Sequence, residues 1–130
     1  MTWVNVPSLP GRWSGIVTKS RDQAPGYGIW LDPSNRWTFG GNDGMTFSNV
    51  YGNVATTSWH YVAVVQDGAA NTRTLYVDGM VQGTGQASVA NGPGSLWIGG
   101  SDIGGYFGGL VDDVRLYSQP LTTAEVQALP

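Results

Sequence analysis

The chain has 130 residues, one histidine, no cysteine, and a formal charge of −3 from six basic and nine acidic residues. That supports a single domain over residues 1–130 with its own core, and it excludes disulfides, thiolate metal sites, an electrostatic footprint for nucleic acid and insertion into a membrane. Twenty glycines beside an aromatic content of 12% mark tight turns between strands that carry large rings, the composition of an all-β sandwich or barrel.

In chain order, Thr2 to Val6 alternates and reads as a strand, ended by Pro7 and the Pro10-Gly11 turn. Trp13 to Lys19 reads as a second strand and Arg21 to Gly26 as a loop. Tyr27, Ile29 and Leu31 then alternate with Gly28 and Trp30, which puts Trp30 on the opposite face of a third strand. Asp32-Pro33-Ser34-Asn35 is turn chemistry, and Trp37 with Phe39 starts a fourth strand that Gly40 to Gly44 breaks. Thr46 to Tyr51 is a weaker strand, followed by a polar link to Ser58.

The strongest signal lies between Trp59 and Gly83. Trp59 to Val65 and Thr74 to Val77 are β-branched and aromatic runs joined by the turn-rich Asp67 to Asn71. Asp78-Gly79 between Val77 and Met80 is a hairpin signal, so three antiparallel strands follow one another here. Gln86 to Gly94 reads as a loop and Ser95 to Ile98 as a short strand. Tyr106 to Tyr117 reads as the last long strand, with its apolar parity odd at Phe107 and Val111 and even at Val114 and Leu116. Such a switch predicts a bulge near Val111-Asp112. In the tail, Thr122 and Glu125 have capping-box spacing, with Leu121 and Val126 as a hydrophobic staple, so a short C-terminal helical turn is expected.

Taken together, W-H-Y-V-A-V at 59–64, L-Y-V-D-G at 75–79, S-L-W-I-G-G at 95–100 and G-G-L-V-D-D-V-R-L-Y at 108–117 resemble the laminin-G-like, concanavalin A-like jelly-roll modules, as does the ending from Gln119 to Val126. The resemblance implies two antiparallel sheets packed face to face, one of them concave. Members of that family bind sugars or proteins, so the fold alone does not choose a ligand. The family pattern also usually opens with a further strand, carrying a Gly-x-x-Asp-x-apolar signature, ahead of the equivalent of Thr2-Trp3-Val4. Its absence before Met1 is expected to leave Thr2 to Val6 as an edge without charge or proline, open to homo-oligomer formation, which is favoured, or to another strand, unless the chain's own tail covers it.

Some relatives of this fold are glycoside hydrolases with a facing carboxylate pair, often in Glu-x-Asp-x-x-Glu. Here Glu125 is the sole glutamate and belongs to the capping box, while Asp112 and Asp113 are adjacent and so point to opposite faces. The chain is therefore expected not to be an enzyme. His60, between Trp59 and Tyr61, reads as a buried histidine bonded to backbone. Asp112 shares parity with Val114 and Leu116 and is expected to point inward. There it either accepts backbone N–H groups at the bulge or serves as the candidate ligand of a calcium ion.

Of the six tryptophans, Trp3, Trp13, Trp37 and Trp59 read as core, whereas Trp30 and Trp97 stand on the opposite parity, with Tyr76 and Tyr106 beside them as further outward aromatics. Outward rings on a sheet can stack on the C–H face of a pyranose. Trp30, Trp97, Tyr76 and Tyr106 are therefore the candidate ligand-binding residues. The expected function is that of a recognition module within a larger extracellular or cell-surface protein, taking carbohydrate or, in the alternative, another protein chain.

Overall fold

The computed structural model describes residues 1–20, 25–86 and 91–130. The loops expected over Arg21–Gly26 and Gln86–Gly94 fall partly on 21–24 and 87–90, outside the described residues. Ten strands are found among the described residues: β1 Thr2–Asn5, β2 Ser14–Lys19, β3 Gly26–Leu31, β4 Arg36–Asn42, β5 Phe47–Val54, β6 Trp59–Asp67, β7 Thr72–Val77, β8 Met80–Gln86, β9 Leu96–Ile98 and β10 Leu110–Asp112. One short helix, α1 Thr123–Gln127, follows. They form two antiparallel five-stranded sheets, ordered β10-β1-β6-β7-β8 and β5-β4-β3-β2-β9, as the jelly-roll resemblance implies.

Alternation decides which side chains meet between the sheets. Val4, Ile16, Ile29, Leu31, Trp37, Phe39, Val62 and Leu75 are all buried there in one apolar cluster. A second, smaller cluster lies outside the first sheet, where Tyr61, Ala63 and Tyr76 pack under Val126 of α1. The helix is started by the expected capping box: Thr122 Oγ1 accepts from Glu125 N–H, and Thr122 N–H donates to Glu125 Oε2 at 2.7 Å.

The turns follow their chemistry. Asp78 and Gly79 both have positive φ, 52° and 75°, the left-handed pair that a two-residue hairpin needs. Asp67 Oδ1 accepts the N–H groups of Ala69 and Ala70 in the β6–β7 link. Asp32 is buried but satisfied, taking Ser34 N–H and Arg36 N–H on one oxygen and the Arg36 guanidinium on the other.

The structure corrects four expectations. β1 is no edge: it is paired with β6 on one side and with β10 on the other, so the chain's own tail occupies the place where self-association was expected. β4 and β5 run further than predicted, to Asn42 and Val54, with Gly40 and Gly41 of β4 sitting in the ladder instead of breaking it. The last strand is cut to Leu110–Asp112, and the parity switch falls at Asp113, whose φ of 50° turns the chain. Trp59 is exposed, standing at the first position of β6 beyond the core.

Candidate functional site

The four outward aromatics divide into two pairs with opposite fates. Trp30 leaves the core side of β3 as predicted, yet it is only 1% exposed. The segment from Gly99 to Phe107 folds over the outer face of the second sheet and covers it. This segment is stitched down by Gly99 N–H to Ile16 O at 2.7 Å, Gly15 N–H to Gly105 O at 2.6 Å, and Thr18 Oγ1–H to Gly100 O at 2.8 Å. Trp13 closes the side, meeting Trp30 edge-on with ring centroids 6.3 Å apart. Tyr76 is likewise 4% exposed, because α1 lies on it and its hydroxyl bonds Thr123 Oγ1 at 3.0 Å. Neither ring can meet a ligand without displacing its cover, so both are corrected as binding residues.

Trp97 and Tyr106 are brought together. Trp97 lies opposite Thr18 in the β2–β9 ladder, and Tyr106 forms a parallel bridge with Gly15 on the same sheet. A methyl group placed on Gly100 would stand 3.1 Å from Tyr106 Cδ1 and 4.0 Å from Trp97 Cε3, so both rings stand over this glycine. Trp97 is 41% and Tyr106 65% exposed. Leu96, Ile98 and Ile103, all exposed, lie on the same strand and covering segment. The pair thus forms an aromatic platform on a floor that hydrogen bonds hold rigid, with Trp30 beneath. Chemically it offers two exposed aromatic rings, which suit a ligand with an apolar C–H face.

A second constellation went unread in the sequence. His60 Nδ1 lies 2.8 Å from Asp78 Oδ2, its Nε2 lies 2.7 Å from Thr56 Oγ1, and Ser58 Oγ lies 2.8 Å from Thr56 Oγ1. His60 is therefore bonded to side chains and not to backbone, with Trp37 edge-on at 5.5 Å. The order hydroxyl–imidazole–carboxylate is that of a nucleophilic site. The carboxylate is also used otherwise: Asp78 Oδ1 accepts Tyr61 N–H at 2.9 Å, and Asp78 N–H donates to Tyr61 O at 2.8 Å. The array joins the β5–β6 link and the β7–β8 turn to β6. Register could have found it, since residue 78 turns back directly beside Tyr61.

Asp112 is exposed on β10 and does not point inward; its Oδ1 accepts the N–H of Asp113 at 2.8 Å. Its neighbour Asp113 holds the Arg115 guanidinium. Among the described residues, no group of three or more His, Cys, Asp and Glu side chains is placed to hold a metal ion, and no helix is long and apolar enough to cross a membrane.

The chain matches the family model of the concanavalin A-like lectin/glucanases superfamily over residues 1–127. No curated protein matches it. Among solved structures, it is similar to the CBM40 module of a Ruminococcus gnavus sialidase bound to α2,3-sialyllactose, at 15% identity and a TM-score of 0.78, over 98% of this chain and 79% of that one. It is also similar to a Bacteroides ovatus protein described provisionally as carbohydrate binding, at 16% identity and a TM-score of 0.75, over 97% of this chain and 38% of that one. A third likeness is to domains LG4-5 of the mouse laminin α1 chain, at 13% identity and a TM-score of 0.65, over 85% of this chain and 32% of that one. At these identities the likeness establishes the fold, and the chain spans well under half the length of the Bacteroides and laminin chains.

Proposed function

Because the chain belongs to the concanavalin A-like lectin/glucanases superfamily, we propose that it is a non-catalytic carbohydrate-recognition module, working at the cell surface or outside the cell as part of a larger protein. The observation that carries this reading is the exposed Trp97–Tyr106 pair over Gly100. Two neighbouring rings on a hydrogen-bonded floor lose little conformational entropy when a sugar ring stacks on them. The sialyllactose complex of the R. gnavus module and the Bacteroides protein support carbohydrate as the ligand class.

The acidic groups support recognition over hydrolysis. Glu125 caps α1, Asp32 pairs with Arg36, Asp113 pairs with Arg115, and Asp78 holds Tyr61 and His60. Each is engaged in holding the fold. A glycan array probed with the wild-type domain and with Trp97→Ala tests the reading. Hits that the variant loses, together with no reducing-sugar release from the bound glycans, are expected. An array without hits, or turnover abolished by a single Asp→Asn change, contradicts it.

A further inference from the structure

Trp59 serves neither the core nor the platform, yet it is 45% exposed on a strand whose next outward residue, Tyr61, is buried. Its surroundings follow from register. Val4, Val62 and Val111 point at the core. By alternation, Trp3 and Asn5 of β1, Trp59 and Tyr61 of β6, and Leu110 and Asp112 of β10 leave the outer face of the first sheet. Trp3 stands opposite Tyr61 on one side and Asp112 on the other, and Asn5 stands opposite Trp59 and Leu110. The six positions therefore form two rows of three, about 10 Å across the strands and about 7 Å along them.

The helix turns this patch into a shelf. Val126 of α1 packs on Tyr61, Ala63 and Tyr76, and Gln127 Nε2–H donates to Gly79 O at 3.2 Å. A wall thus rises on the β7 side, and Trp59 lies outside its cover. Trp3 is set in place by Tyr61, its ring tilted 55° with centroids 5.4 Å apart. Trp59 is the diagonal neighbour of Trp3 across the β1–β6 pair, about 7–8 Å away. Asn5 stands half-buried between them, and among the described residues no hydrogen bond occupies its amide. On the far side Asp112 is exposed, with Oδ1 taking the Asp113 N–H. Asp113 is itself neutralised by Arg115, so Asp112 leaves the shelf with a net negative charge.

We propose that this shelf is a second carbohydrate site, taking an uncharged sugar ring. Trp59 and Trp3 meet its C–H face, as aromatic rings in sugar sites do. The Asn5 amide both donates and accepts, and the Asp112 carboxylate accepts, so the two together hold the hydroxyls at the rim. The Asp112 charge turns away carboxylated and sulfated sugars, which fixes the ligand class as neutral. Size fits the same occupant. The six positions cover about 70 Å², enough for one sugar ring and a small fraction of the roughly 800 Å² that a stable protein partner covers on one side. The shelf shares no residue with the Trp97–Tyr106 platform, lies on the opposite outer face of the sandwich and stands or falls without it. With both sites filled, one domain holds two glycan chains, and the second is bound at the high effective concentration set by the first.

The probes are neutral trisaccharides built on glucose, galactose, mannose, xylose and N-acetylglucosamine, beside trigalacturonic acid as the charged counterpart. Each is titrated into the intact domain while the tryptophan indole N–H signals are followed by NMR. At least one neutral trisaccharide is expected to shift Trp59 and Trp3 saturably, whereas trigalacturonic acid shifts neither. Trp59→Ala, folded by circular dichroism, should weaken that ligand at least tenfold at the Trp3 indole and leave any Trp97 response unchanged. Asn5→Ala, folded likewise, should weaken it severalfold. Three results overturn the proposal. The first is no neutral trisaccharide moving Trp59 even at millimolar concentration. The second is trigalacturonic acid binding there as tightly as the neutral sugars. The third is Trp59 and Trp3 shifting with protein concentration alone as light scattering shows a rising mass, which makes a second copy the occupant. Trp97 is read in the same spectra. A silent Trp97 beside a saturating Trp59 therefore upholds the shelf and counts against the platform, and the reverse overturns the shelf alone.

Discussion

Trp30 and Trp97 carry the same signal, a tryptophan between two aliphatic residues on an alternating strand, and end in opposite environments. Alternation decides which sheet face a side chain leaves from, and that much was legible at both positions. It carries no information on what later covers that face. The cover over Trp30 comes from Gly99 to Phe107 and that over Tyr76 from α1, both distant in sequence. His60 was misassigned for a related reason, since its partner Asp78 is local in register and remote in chain. At this scale two changes test the account. Asp78→Ala removes the acceptor of Tyr61 N–H and of His60 together, and should cost about 1–3 kcal/mol in a urea titration; an unchanged midpoint would show the array is idle. The Met1 amine titrates near 8.0 when unfolded and about 6 when folded, because it is buried and lies near Arg115. Between those values the unfolded chain holds more protons, so stability rises as pH goes from 6 to 8, by less than about 3 kcal/mol. N-acetylated protein, compared over the same range, should lose that slope.

Elements were legible where local chemistry is sufficient. The Asp78-Gly79 hairpin and the Thr122–Glu125 box need only neighbours in sequence, and both formed as expected. Lengths were not legible where glycine is the signal, because glycine both breaks strands and permits close approach. β5 and β8 illustrate the second use. They come from different sheets and close one side of the sandwich, and a Cβ added at Gly83 would stand 2.7 Å from Tyr51 O. Gly83→Ala should therefore destabilise by about 1–3 kcal/mol through overpacking. Gly68→Ala, with nothing within 4 Å of its Cβ, should be neutral or slightly stabilising. Equal Tm values for the two variants would contradict the contact between β5 and β8. The placement of β1 failed at this scale as well: pairing with β10 joins Trp3 to Asp112, a partner that alternation within either strand cannot name.

At the scale of the molecule, composition and the order of strand and turn signals pointed to an all-β sandwich or barrel, and the resemblance to the laminin-G-like modules implied the two packed sheets that are found. The site was half legible. Of four candidate aromatics the fold buries two and assembles two, and the assembly rests on a glycine floor that no strand pattern predicts. The central claim is that Trp97 and Tyr106 form the recognition surface of a carbohydrate-binding module. Its most direct test is an NMR titration that follows all six tryptophan indole N–H signals as a glycan retained on the array is added. The account predicts that the Trp97 indole shifts and saturates with the ligand, that Trp30 and Trp37 stay put, and that Trp97→Ala weakens binding by about 1–3 kcal/mol, the range for stacking of planar ligands on aromatic rings. Saturable binding that leaves the Trp97 indole unmoved would contradict it.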